Sequence, residues 1–409
     1  MKIWTALLAL AGVASATSIH HNGYTRHKRD VCSGNTASDR QSWCKYNVST
    51  NYYDVVPTTG VTKEYYLNIE DVTVAPDGYS RAAMAVNGSI PGPTIEANWG
   101  DNVIVHVTNS LTSNNGSSIH FHGIRQNYTN PNDGVVSITQ CPTAPGQTTT
   151  YKWRATQYGT SWYHSHIGLQ AYEGVFGGIV INGPATENYD VDKGVLFLND
   201  WSHQTVDELY ASAQASGPPT LDNGLINGTN VYGDDDSTSQ TGYRFNTSFT
   251  EGTSYRLRLI NAAVDTHFKF SIDNHTLTVM AMDLVPIEPF NTTVLSIGMG
   301  KRPFTYQLRI TLLTLVRIQV NGTISWSTQI NPPETTVSGC AQSPNPPVPT
   351  TTAQTTSKES SITAAQHPRP PRLHTRTPIV VRIWTSPISS RTWPRAHRSH
   401  TTTPASQSH

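Results

Sequence analysis

From Lys63 to about Asn182, apolar and polar residues alternate in short runs, and turn residues interrupt each run. Period-two alternation puts successive side chains on opposite faces, so these runs predict half-buried β-strands. The runs are Lys63–Val72, Thr94–Ala97, Asn102–Asn109, Ser118–His122, Thr148–Ala155, Ser161–Ser165 and Gly178–Asn182. Asp77-Gly78, Asn87-Gly88, Pro91-Gly92-Pro93, Asp133-Gly134 and Pro145-Gly146 separate them, each supplying the backbone angles a reversal needs. Many short strands at close spacing predict a sandwich or barrel. A second block repeats the theme from Val195 onward. Leu196–Leu198, Leu225–Ile226, Tyr255–Ile260, Phe268–Ile272, Leu277–Ala281 and Val294–Ile297 are its strands, and Val206–Ala213 is a helical turn or two. After Met299 the character changes: Lys301–Val320 alternates poorly, and beyond Cys340 the chain is low in complexity.

The N-terminus reads as an address. Lys2 precedes the apolar run Ile3–Val13, which ends in Ala14-Ser15-Ala16, the pattern of a cleaved secretory signal over residues 1–16. The dibasic Lys28-Arg29 marks a second processing site, making 17–29 a propeptide. Export to an oxidising, extracellular setting bears on the four cysteines. Cys32 and Cys44 are close enough for a local disulfide, whereas Cys141 and Cys340 are either a long-range pair or two thiols without partners. Nine Asn-x-Ser/Thr sequons (Asn47, Asn87, Asn115, Asn127, Asn227, Asn246, Asn274, Asn291 and Asn321) fit a secreted glycoprotein.

The 409 residues balance 28 basic against 28 acidic side chains, but unevenly. Residues 341–409 carry a net charge of +7 and the remainder −7. Of those 69 tail residues, 34 are Ser, Thr or Pro, too few apolar groups to offset chain entropy, so a disordered tail is expected. A neutral total without a folded basic face argues against a nucleic-acid partner. No apolar run after the N-terminus approaches the ~20 residues of a membrane span, which argues against a membrane protein. The expected organisation is therefore all-β. One unit spans 30–185 and a second spans 190–340 with its pattern degrading after about 299; the disordered tail covers 341–409.

Two His-x-His units stand out, His120-Phe121-His122 and His164-Ser165-His166. On a strand, residues i and i+2 share a face, so each unit delivers two imidazoles to one point. Four neutral imidazoles suit Cu, Zn, Fe or Ni, with Cu(II) highest in affinity. One such pair arises easily by chance among 16 histidines; two within one β-unit, each followed closely by glycine, point to a metal.

The surrounding residues carry a resemblance. Asn87-Gly-Ser-Ile-Pro-Gly-Pro-Thr-Ile, Asn98-Trp-Gly-Asp, His120-Phe-His-Gly, Asp133-Gly, Gln140-Cys-Pro, Pro145-Gly, Trp162-Tyr-His-Ser-His and Gly178-Ile-Val-Ile-Asn-Gly-Pro resemble the first cupredoxin domain of multicopper oxidases, in the form seen in laccases of filamentous fungi. Gly224-Leu-Ile-Asn-Gly and Tyr255-Arg-Leu-Arg-Leu-Ile-Asn extend the likeness into the second block, to about Gly298. Phe121 stands where the family has Trp, and Glu173-Gly174 where it has Asp-Gly. The resemblance implies tandem cupredoxin-like Greek-key β-sandwiches. It also implies roles: His120 as a type 2 copper ligand, His122 and His164 on one type 3 copper, and His166 on the other. Asp133 would be the carboxylate that helps deliver protons to oxygen, and Asp265 the one that accepts the phenolic proton. The residues alone also allow Asp133 to be a plain turn acid and Asp265 a solvated loop acid. His267 and His275 stand alone and read as core or surface histidines.

The family's blue-copper (type 1) ligands and half its trinuclear ligands lie in a third cupredoxin domain, in His-Pro-x-His-x-His-Gly and His-Cys-His segments. Neither segment occurs in these residues, and no cysteine adjoins a histidine. His367, His374, His397, His400 and His409 have no strand context to serve instead. The family's partner for Cys141 likewise lies in that missing part. Two functional expectations follow. The first is a laccase-like oxidase of phenolic (diphenol) substrates using dioxygen, expected to be inactive as written; the alternative is a non-catalytic secreted glycoprotein that binds copper weakly or not at all. The break after Met299 further suggests an altered reading frame.

Overall fold

The computed structural model describes residues 35–298 except 114 and 236, together with the strands Thr305–Thr311, Arg317–Gln319 and Val381–Ser386. The leader and propeptide segments, Cys32 and Cys340 lie outside the described residues. Cys44 is disulfide-bonded, and Cys141 is an exposed free thiol.

The first unit is a sandwich of two four-stranded sheets. Its strands in chain order are β1 (Thr62–Val74), β2 (Arg81–Val86), β3 (Gly92–Asn98), β4 (Asn102–Asn109), β5 (His120–Phe121), β6 (Thr148–Arg154), β7 (Gly159–His164) and, after the short helix α1 (Gln170–Glu173), β8 (Phe176–Asn182). One sheet runs β2-β1-β4-β6 and the other β3-β8-β7-β5. β1 pairs with β4, and β3 with β8, in parallel, so consecutive strands cross between sheets in the Greek-key manner. On β4, Val103, Val105 and Val107 point inward and Ile104, His106 and Thr108 outward, as alternation predicts. Their neighbours Ile95, Trp99, Ile119, Tyr151 and Ile179 complete a buried core between the sheets.

Alternation fails on β7 and β8, whose residues are buried on both faces. The second unit covers their outer face: Trp162 and Phe176 pack with Phe197, Ile260 and Ala262. A strand covered on both sides needs apolar side chains in both directions, which is why Ile179, Val180 and Ile181 follow one another without the expected alternation.

The second unit consists of β9 (Val191–Trp201), α2 (Val206–Ser216), β10 (Asn223–Ile226), β11 (Ser254–Asn261), β12 (His267–Ile272), β13 (Leu277–Met282), β14 (Val285–Thr292), β15 (Leu295–Ile297), β16 (Thr305–Thr311) and β17 (Val381–Ser386), with two-residue and three-residue strands between. Its larger sheet runs β10-β9-β11-β16-β13-β14 and its smaller one β15-β12-β17. Phe268, Phe270, Leu257, Leu259, Leu277 and Val279 fill the space between them. α2 runs to Ser216, beyond the turn or two expected; a reciprocal capping box of Thr205 and Glu208 fixes its start, and Gly217, at φ +90°, caps its end.

Three further strands go beyond the sequence reading. The pattern was expected to fade after about residue 299, yet β16 sits centrally between β11 and β13, with Ser254 opposite Thr311 and Thr278 opposite Arg309. Of residues 341–409, expected as a disordered tail, the structure describes Val381–Ser386, which pairs antiparallel with β12. Its Val-Arg-Ile-Trp segment has the β-branched and aromatic content that the surrounding Pro, Ser and Thr lack. β14 went unrecognised because Pro286 and Pro289 interrupt it. It is an edge strand, where a missing N–H costs little.

Polar ties join the units at several points. The buried Asp77 carboxylate, in the turn after β1, accepts His203 Nε2 at 2.9 Å and Asn223 Nδ2 at 3.0 Å. On the other side Arg258 donates to Thr160 Oγ1 on β7 at 2.7 Å while pairing with Asp192 at 2.7 Å. Burial alone would raise the Asp192 carboxyl, but the guanidiniums of Arg258 and Arg256 hold it well below the usual carboxylate range.

Candidate metal centre

β5 and β7 build the centre. They are antiparallel neighbours in which His120 lies directly opposite His164 and Phe121 opposite Tyr163. His122 continues the pairing for one residue, its N–H donating to Trp162 O at 3.0 Å. Both His-x-His units therefore point their rings off one sheet face. Ring centroids of His122, His164 and His166 lie 5.5, 5.4 and 5.5 Å from that of His120. Phe121, between the first two histidines, points the other way and is buried against Tyr151 and Trp153.

The ring nitrogens are sorted by the backbone. His120 Nδ1–H donates to Asp133 O at 2.7 Å, and His164 Nδ1–H donates to Ser165 O at 2.9 Å. Each bond fixes a tautomer and leaves Nε2 with a free lone pair. His122 presents Nδ1, 3.3 Å from His164 Nε2. Two nitrogens bound to one ion at about 2.0–2.1 Å and a tetrahedral angle stand about 3.3–3.4 Å apart, so this pair has the spacing of two ligands of one metal. His120, His122 and His164 keep one donor each within 4.8 Å of the others.

Electrostatics keeps these rings ready to bind. Burial, then the neighbouring His120 and His166, pushes His122 down to about 4. Burial pushes His164 down to about 3 against the opposing pull of its bond to Ser165. His120 is lowered too, by burial that outweighs the raising effect of Asp133. Neutral imidazoles with lone pairs facing one another are what a borderline divalent cation requires, and the donor set fits copper.

Asp133 sits against the first histidine unit. Its carbonyl holds His120, and its half-buried carboxylate lies 3.4 Å from the same Nδ1. Gly134 makes this approach possible. Its φ is +79°, and a Cβ there would sit 1.8 Å from Ile119 O and 2.9 Å from His120 N. Asp265 lies on the loop between β11 and β12. Its N–H, with those of Val264 and Thr266, donates to the Asp200 carboxylate at 2.8–3.0 Å. Burial raises Asp200, against the lowering effect of these N–H bonds. His275 bonds within its own turn, to Asp273 O. The five histidines beyond residue 360 lie outside the described residues.

Sequence reasoning missed the supports. Nothing local to Asp200, Gln170 or Ser165 marks them as supports. Glu173, recognised as a substitution in the motif, forms a buried ion pair with Arg81 at 2.6 Å and accepts the first N–H of α2. Arg81 in turn lies over the Trp201 ring at 3.8 Å. Only the unpaired-charge problem of a buried Arg could have pointed to this, and that becomes visible once burial is known.

Comparison with known proteins agrees with the geometry. A multicopper oxidase family model matches residues 68–186, and a second one matches residues 192–305. Laccase-2 of Botryotinia fuckeliana is 53% identical over 307 residues, covering 73% of this chain and 53% of the relative. Laccase-1 of the same organism is 54% identical over 275 residues, 67% of this chain and 47% of the relative. The crystal structure of a laccase from Botrytis aclada superposes with a TM-score of 0.65 at 52% identity, over 69% of this chain and 52% of that one. The chain thus spans about half the length of the relatives it matches. Among the described residues, no helix is long and apolar enough to cross a membrane.

Proposed function

Because this chain belongs to the multicopper oxidase family, we propose that it carries the first two domains of a laccase-type enzyme that oxidises phenols, diphenols in particular, and reduces dioxygen to water. The observation that carries this reading is the convergence of two His-x-His units across one antiparallel pair, with His122 and His164 donors 3.3 Å apart. His120 would hold the type 2 copper, His122 and His164 one type 3 copper, and His166 the other. Copper, when bound, supplies one-electron chemistry, which lets phenols surrender electrons singly while dioxygen takes four.

The chain's own residues do the rest. The bonds of His120 and His164 to backbone carbonyls orient their rings, and burial keeps them unprotonated. The half-buried Asp133 carboxylate, beside His120, would relay protons from solvent to the dioxygen being reduced. Asp265, on a loop stiffened by Asp200, would take the phenolic proton. The disulfide at Cys44 and the sequons favour a secreted setting. These four imidazoles are half of the family's trinuclear set, and the residues of the blue-copper site have no counterpart in this sequence. We infer that these residues by themselves would bind copper without turning over.

Metal analysis of the purified chain after titration with Cu(II), alongside oxygen uptake with a diphenol, tests this reading. Copper should bind at the centre and be lost in His164→Ala, with no blue absorption and no oxygen uptake. Equal copper in both proteins would overturn the assignment of the site. Oxygen uptake absent from the His164→Ala control would overturn the inactivity of the chain alone.

A further inference from the structure

The β5–β7 ladder stops at the His120–His164 pair. His120, His122 and His164 are thus held by strand pairing, whereas His166 lies beyond the ladder's end and is exposed. Ser165 N–H still donates to Val175 O at 2.9 Å, a last backbone rung on the β8 side, but beyond it His166 is held through side chains. His166 N–H donates to Ser118 Oγ at 3.3 Å. Next to it, Ser165 Oγ–H donates to Gln170 Oε1 at 2.8 Å, and Gln170 Nε2 donates to Gly116 O at 2.9 Å. Ser165 Oγ also accepts the Ile167 N–H at 3.2 Å.

Gln170 thereby bridges the segment leading into the first histidine unit and the serine at the middle of the second. Both side chains, Ser165 and Gln170, are buried. The bridge needs an acceptor and a donor at opposite corners of one planar group, which Gln supplies and Glu, Met or Leu do not. We propose that Gln170 is a positioning residue for the metal centre: it replaces the missing ladder rungs and holds the His166 ring against the other three. This inference rests on the reading of the four histidines as copper ligands.

The test uses the full chain with 13C-labelled histidine. In metal-free Gln170→Met, the His166 imidazole resonance should shift or broaden while those of His120, His122 and His164 hold. Ser165→Ala cuts the same bridge from its other end and should do likewise; it decides the matter if the methionine variant does not fold. Cu(II) titration should then show affinity reduced about 10–100-fold in the variants, the usual cost of losing a support behind a ligand. Gln170→Glu, which keeps the acceptor but loses the donor, should behave like the methionine variant. An unmoved His166 resonance in the folded variants would overturn the positioning role. Failure of the unaltered chain to bind Cu(II) would instead overturn the metal reading and leave the resonance result standing by itself.

Discussion

Replacing Gly134 with Ala tests the link between backbone and metal centre most directly. The new Cβ would lie 1.8 Å from Ile119 O, where carbon and oxygen normally keep at least about 3.3 Å, so the loop must retreat by about 1.5 Å. That retreat breaks the 2.7 Å bond from His120 to Asp133 O. Holding Ala at φ +79° costs about 1–2 kcal/mol, the overpacking about 1–3 and the lost hydrogen bond about 0.5–1.5, together about 2.5–6.5 kcal/mol. Gly146 supplies the control. Its φ is +75°, yet no described atom lies within 4 Å of its hypothetical Cβ. Gly146→Ala should therefore pay only the conformational cost of about 1–2 kcal/mol. Urea unfolding of both variants measures the difference, and Cu(II) titration should show affinity falling about 10–100-fold in Gly134→Ala only. Two variants with the same unfolding midpoint would refute the reasoning, because the close approach would then carry no energy.

Other substitutions follow from the same contacts. Asp192→Asn leaves Arg256 and Arg258 buried without their counter-charge and should cost about 3–5 kcal/mol at pH 7. Because the folded state depresses the Asp192 carboxyl, its contribution is complete above the unfolded value near 3.8 and lost as pH falls through the folded one. Urea midpoints measured from pH 5 downward should accordingly fall less steeply in Asp192→Asn than in the unaltered chain. Glu173→Ala strands Arg81 in the same way and should lower stability by about 3–5 kcal/mol; a calorimetric loss under 1 kcal/mol would mean that Arg81 finds another partner. Asp133→Asn keeps the carbonyl that orients His120, so Cu(II) affinity should stay within about threefold, well short of the Gly134→Ala loss. A larger drop would assign the orientation to the carboxylate instead.

Much of this protein was written locally. Period-two alternation marked the inward valines of β4, and turn dipeptides marked where the strands end, because both follow from the geometry of neighbouring residues. The spacing of His120 with His122 and of His164 with His166 placed each pair on one face for the same reason. What the sequence left open depends on residues far apart in the chain. That the two units face each other across adjacent strands is a fact of register, and register follows from the packing of the whole sandwich. Burial of β7 and β8 on both faces comes from the second unit, so their alternation could not be read one strand at a time. β14 hid behind its prolines because only the finished sheet makes it an edge. Gln170, Gly134, Asp200 and Arg81 took their meaning from partners that folding brought within hydrogen-bonding distance. A residue's type limits the bonds it can make, but only the tertiary structure decides which group stands opposite to make them.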